Sequence, residues 1–148
     1  PGPCPGISAV SVGPDSIEVL LTHAGYAPAD SFLIEADGRA WTLPASVDDG
    51  ELRPVADTQA GPAPALVTVG MIDERSVLID LEAGARTLID GDPSDAEALL
   101  WTLALDLVTS NRADDINVIL IGDTPEGIDT VGRARAFPPG NDVIAAHG

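Results

Sequence analysis

Between Thr87 and Ile121 the apolar residues change period twice, and this limits the fold more than any other feature of the chain. Ala96, Leu99, Leu100, Leu103, Leu107 and Val108 follow the i, i+3, i+4, i+7 spacing of a helix that buries one stripe. Asp92 can serve as its N-cap, and Pro93 suits its first position. Asp95 and Glu97 then fall in the first turn, where the helix dipole favours negative charge. The helix is expected to end near Ser110-Asn111, before a turn at Asp114-Asp115. Ile116–Ile121 is a continuous apolar run, the pattern of a strand buried on both faces in a parallel sheet. Ahead of the helix, Thr87-Leu88-Ile89 reads as a short strand running into Asp90-Gly91-Asp92-Pro93. Strand, helix and strand at these lengths predict a right-handed βαβ unit.

The N-terminal half reads differently. Residues 1–6 (Pro-Gly-Pro-Cys-Pro-Gly) form a linker. Ile7–Val12 and Ile17–Thr22 flank the turn residues Gly13-Pro14-Asp15-Ser16 and predict a hairpin. In the first strand Ile7 and Ala9 are expected to point inward, with Val10 or Val12. Phe32–Glu35 and Ala40–Leu43 flank Asp37-Gly38, a preferred pair for a two-residue hairpin turn. Residues 44–64 contain four prolines and little periodicity, as expected of a long surface loop. Ala65–Ile72 and Ser76–Leu81 predict a third hairpin around Asp73-Glu74-Arg75. A helix over Glu126–Ala136 and a last strand over Asp142–Ala146 complete the reading. The expected fold is α/β, in the mixed α+β sense: a small mixed sheet, one long helix in a βαβ unit, and β-hairpins on the N-terminal side. The expected division is a linker (1–6), a β-rich subdomain with its Pro-rich loop (7–64) and an α/β subdomain with a phosphate-loop-like frame (65–148).

Charge narrows the function classes. The 148 residues carry 24 acidic and 7 basic side chains, a net charge of −17, and every basic residue is Arg. A field of this sign repels phosphate backbones and anionic lipid, which argues against direct contact with nucleic acid or membrane. The plain reading of the charge is solubility; a sharper one is docking to a basic protein surface. Hydrophobic residues make up 45% of the chain, so a core can form, but aromatics are only 3%, so Leu, Ile, Val and Ala must fill it. Cys4, the single cysteine, cannot form an internal disulfide. No apolar run approaches the ~20 residues of a membrane span. The linker-like start leads to the expectation of a piece cut from a longer protein.

A strand that turns through glycine into a helix, followed by a buried strand, is the frame of a phosphate-binding loop. The working motif is G-x-x-x-x-G-K-[ST]. Here the turn reads Gly91-Asp92-Pro93-Ser94-Asp95-Ala96-Glu97-Ala98. Gly91 fits, but Ala96 replaces the second Gly, Glu97 the Lys and Ala98 the magnesium-binding hydroxyl. The loop instead carries Asp90, Asp92, Asp95 and Glu97, which would repel a triphosphate. With no Lys anywhere in the chain, no shift of register restores the motif.

The stretch Ser76–Gly122, with Val-Leu-Ile-Asp-Leu-Glu, Thr-Leu-Ile-Asp-Gly, Ala-Leu-Leu-Trp-Thr-Leu-Ala-Leu and Asp-Asp-Ile-Asn-Val-Ile-Leu-Ile-Gly, resembles the first βαβ of FtsK/SpoIIIE-type motor ATPases. That group includes the type VII secretion ATPases. Aligning Leu99-Leu100 to the family's helix makes the loop one residue short and puts Ala96 at the Lys position; either alignment removes the catalytic residues. Ala65–Gly122, with Gly38-Arg39-Ala40-Trp41-Thr42-Leu43-Pro44 before it, looks closer still to a module of large multidomain actinobacterial proteins. Those often carry membrane segments, a LysM domain and a C-terminal bacterial transcriptional activator domain. The resemblance implies a degenerate, non-hydrolysing module of a regulatory protein. It also implies a cytoplasmic location, with tethering to the membrane through the parent protein, and other domains of that parent as partners.

Few residues offer other chemistry. Asp90, Asp92 and Asp95 could ligate a divalent cation through oxygen, although their spacing is not that of an EF-hand loop and ordinary helix capping is the better account of the same residues. Asp123, after a buried strand, stands where α/β folds place functional residues. Gly91 and Asp92 are the remaining candidates for a ligand. His23 and His147 have no neighbour at zinc spacing. Trp41 and Trp101 read as packing residues. No nucleophile–base pair is visible, so no enzyme activity and no cofactor are expected. The leading expectation is a non-catalytic interaction or regulatory module. The alternative is a module that binds nucleotide weakly or shares a site with a neighbour.

Overall fold

Turn chemistry and alternating strands in the first half build one antiparallel sheet. The computed structural model describes residues 5–25, 29–48, 50, 63–84, 86–110, 116–122, 127 and 133–138. Six strands form the sheet: β1 (Ile7–Val12), β2 (Ser16–Leu21), β3 (Leu33–Ile34), β4 (Ala40–Pro44), β5 (Leu66–Ile72) and β6 (Arg75–Asp80). Their order is β3-β4-β2-β1-β6-β5, and every neighbouring pair is antiparallel. The helix α1 (Pro93–Thr109) follows, then β7 (Val118–Ile121) and β8 (Ala134–Phe137), which pair in parallel as a separate two-stranded sheet. The molecule is therefore mixed α+β. No helix among the described residues is long and apolar enough to cross a membrane.

The core face of the large sheet is a cross-strand row. Leu78 pairs with Val10, Val10 with Val19, and Val19 with Trp41. Val10, Val19, Leu21 and Trp41 form the buried cluster, with Ile7, Phe32, Leu66 and Leu78 packed against it. A bulge at Ser8 explains how Ile7 and Val10 share this face despite their odd spacing: Ile7 pairs with Leu21 but Ala9 with Leu20. The expectation of Ile7 and Ala9 as inward partners is corrected by that extra residue. Trp41 is 2% exposed, meets the Phe32 ring edge-on at 6.0 Å, and donates its indole N–H to the Gly25 carbonyl at 3.3 Å.

The hairpins differ from expectation in their turns. Glu35 N–H donates to the Ala40 carbonyl and Gly38 N–H to Glu35, so four residues rather than two connect β3 and β4. Gly38 takes the left-handed conformation, at φ 68°, that closes this loop. Between β5 and β6 the loop shortens to Asp73-Glu74, both at positive φ (47° and 64°), as a type I′ turn requires. Arg75 thus enters β6, opposite Ile72. Its guanidinium reaches β1 and β2, donating Nε to Ser11 Oγ at 2.7 Å, Nη2 to the Ser11 carbonyl at 3.1 Å and Nη1 to Ser16 Oγ at 3.3 Å. The sheet takes strands from both sides of residue 64, and β6 pairs directly with β1.

The expected βαβ unit is not formed. Residues 86–90 lie in no sheet, and Leu88 is 84% exposed. The parallel partner of β7 is β8, and residues 134–136, expected within a helix, belong to that strand. Nor is β7 buried on both faces: Leu120 is buried, while Ile119 and Ile121 are exposed. A two-stranded pair can cover one face against a helix but has no second layer for the other. The helix itself has the expected bounds and caps, although not all of its apolar stripe is buried. Asp92 is its N-cap, Pro93 opens it, Leu103, Ala104 and Val108 are buried, and Ser110 is its C-cap.

Candidate functional site

Helix α1 packs against both the large sheet, at β5, and β7. At its start the Asp92 carboxylate accepts from the Ser94 backbone N–H at 2.9 Å and from Ser94 Oγ at 2.6 Å. These two bonds, the hydroxyl contributing most, hold the Asp92 carboxyl below its ordinary value of 3.8. The helix N-terminus is thereby occupied by its own side chain. Gly91 has φ 148°, with open space where a side chain would project. No strand leads into the turn, so Gly91 and Asp92 do not stand in a phosphate-loop frame. Asp90, Asp92 and Asp95 are all exposed, and no group of three potential metal ligands forms among the described residues. Asp123 lies outside the described residues, as do Cys4 and His147. His23 is exposed, its Nδ1 2.9 Å from Thr22 Oγ1.

One flank of α1 runs along β5, the edge strand of the large sheet. Asp106 Oδ2 accepts the Thr68 backbone N–H at 3.0 Å, so a helix carboxylate takes an edge-strand donor. This restrains the edge from pairing with another chain. Beside it opens a shallow groove of about 500 Å³, bounded by Thr68, Gly70, Leu99, Thr102, Leu105 and Thr109.

The other flank faces β7 and the unpaired residues 86–90. Between them lies a groove of about 380 Å³. Leu100, Leu103, Ala104 and Leu107 form its helical wall, while Thr87 and Ile89 stand on one side and Val118–Leu120 on the other. Consecutive β7 residues, whose side chains point to opposite faces, all border the groove. No β8 residue borders it. Leu100 and Ile119 are 48% and 44% exposed there. Among the described residues, Arg86 is the only titratable one at the groove. The helix is tied to β8 at its far end, where Arg133 Nη2 donates to the carbonyls of Val108 (2.9 Å) and Ser110 (2.8 Å).

Sequence reasoning placed Leu100, Leu103 and Leu107 on one helix stripe but expected all of it to be core. The sign that Leu100 stays open is the adjacent Thr87-Leu88-Ile89, an apolar run bracketed by Arg86 and Asp90 and too short to anchor a sheet unaided. No protein-family model, no curated protein and no solved structure matches this chain.

Proposed function

We propose that this chain is a non-catalytic interaction module that binds a partner protein through the groove between α1 and β7. One observation carries the reading: an open groove with apolar walls, Leu100 and Ile119 among them, and, among the described residues, a single titratable side chain, Arg86. Acid–base or nucleophilic catalysis needs two or more such groups converging on one point. Apolar walls with half-exposed Leu and Ile instead offer surface whose burial favours association. The net charge of −17 adds long-range attraction for a basic surface, on a protein or on another domain of the same parent chain.

A photoreactive side chain placed at position 100 tests the reading. Irradiation in cell extract is expected to give a discrete protein adduct that is absent when the same group replaces Met71, an exposed apolar residue near the β5–β6 turn. Equal labelling from both positions would contradict it.

A further inference from the structure

We propose that the Asp90-Gly91 peptide is a site of spontaneous aspartate isomerisation, a main-chain modification whose only reactants are the protein and water. The chain holds three Asp-Gly pairs, Asp37-Gly38, Asp49-Gly50 and Asp90-Gly91. Glycine favours the reaction because it carries no side chain to obstruct its nitrogen. That nitrogen attacks Cγ of the aspartic acid side chain. A C–N bond forms, the carboxyl hydroxyl and the amide proton leave as water, and a succinimide ring closes. Water then reopens the ring. Cleavage of the bond to Cγ restores aspartate; cleavage of the bond to the main-chain carbonyl gives isoaspartate, in which the chain runs through Cγ. The water lost on closure returns on opening, so mass and oxidation state are unchanged.

Local structure decides which pair reacts, because the attack needs a free amide nitrogen and a carboxyl able to swing onto it. At Asp37-Gly38 both groups are engaged. The Gly38 N–H donates to the Glu35 carbonyl at 2.8 Å, and the Asp37 carboxylate accepts the Arg39 N–H at 2.9 Å. The latter bond is the side-chain-to-backbone link of an Asx turn. At the Asp49-Gly50 pair, the Gly50 N–H donates to the Asp48 carboxylate at 3.2 Å, and Asp49 lies outside the described residues. At Asp90-Gly91 neither group is held: among the described residues nothing accepts the Gly91 N–H, and nothing donates to the Asp90 carboxylate. Both residues are exposed, and both lie outside any helix or strand. Gly91 has φ 148° and no atom within 4 Å of the place a Cβ would occupy, so ring closure meets no packed neighbour there. The product adds one carbon to the main chain between Ile89, on the groove wall, and Asp92, the helix cap.

Purified protein held for weeks at physiological temperature and near-neutral pH tests this. Cleavage after arginine releases Thr87–Arg112, which carries Asp90-Gly91, and Pro1–Arg39, which carries Asp37-Gly38. Isoaspartate forms separate chromatographically at equal mass, and electron-transfer fragmentation locates the altered residue. Two hydrogen bonds must break before Asp37 can react, so isoaspartate is expected to accumulate at Asp90 about tenfold faster or more. The same incubation in urea should bring the two rates together, because the fold no longer holds Asp37 back. Asp90→Glu lengthens the side chain and disfavours ring closure, so it should remove the product from Thr87–Arg112. Asp90 makes no bond whose loss would unfold the variant, and its thermal midpoint verifies this. Equal or slower accumulation at Asp90 than at Asp37 in the folded protein overturns the proposal, as does the absence of isoaspartate at Asp90. A difference in rate that persists unchanged in urea overturns the structural cause assigned to it.

Discussion

At the scale of single residues, local rules were legible and backbone strain was not. Asp92 and Pro93 were assigned as N-cap and first helical residue, and they hold those places because capping depends on neighbours within one turn. Asp92→Ala is expected to lower the thermal midpoint at neutral pH. Because the folded carboxyl titrates below its ordinary 3.8, its contribution is full above that value and is lost as pH falls through the depressed folded value. The wild-type and variant midpoints should therefore converge only in strong acid. Glu74, by contrast, carries no sign in the sequence of its φ of 64°. A non-glycine side chain is strained there, and Glu74→Gly should stabilise the protein by about 0.5–1 kcal/mol in urea unfolding. Trp41 shows the opposite sensitivity: Trp41→Ala should cost about 3–5 kcal/mol, because it empties the centre of a core with few large side chains.

At the scale of elements, the hairpins were readable because Gly13-Pro14-Asp15 and Asp37-Gly38 mark turns and the flanking residues alternate. Their registers were less so: the Ser8 bulge and the four-residue β3–β4 connection arise from pairing, not composition. The βαβ expectation failed for the same reason. Thr87–Ile89 and Val118–Ile121 both have strand character, yet which strand pairs with which is decided by non-local packing, and β8 took the place beside β7. The helix packs along the edge of β5, and Asp106 there accepts the Thr68 backbone N–H. Asp106→Ala should cost about 1 kcal/mol and measurably speed hydrogen exchange at the Thr68 amide; unchanged exchange would show that water serves the donor equally well.

At the scale of the whole molecule, the acidity was plain from composition, but the groove could not be seen until the elements were placed. It exists because an apolar helix face, Leu100 to Leu107, extends past what the two-stranded sheet covers. The same acidity has a thermodynamic consequence. With 24 acidic and 7 basic residues, self-repulsion opposes the folded state, so the thermal midpoint should rise as sodium chloride is raised from low concentration to ~0.15 M and above. A midpoint indifferent to salt would place the carboxylates too far apart to interact. The central claim is that the chain binds a partner rather than a nucleotide: the helix N-terminus that would meet a phosphate is filled by the Asp92 carboxylate. Calorimetric titration with ATP, with and without magnesium, tests this most directly. The expected result is no heat of binding up to millimolar nucleotide. Binding tighter than ~100 μM, about −5.5 kcal/mol, would contradict it.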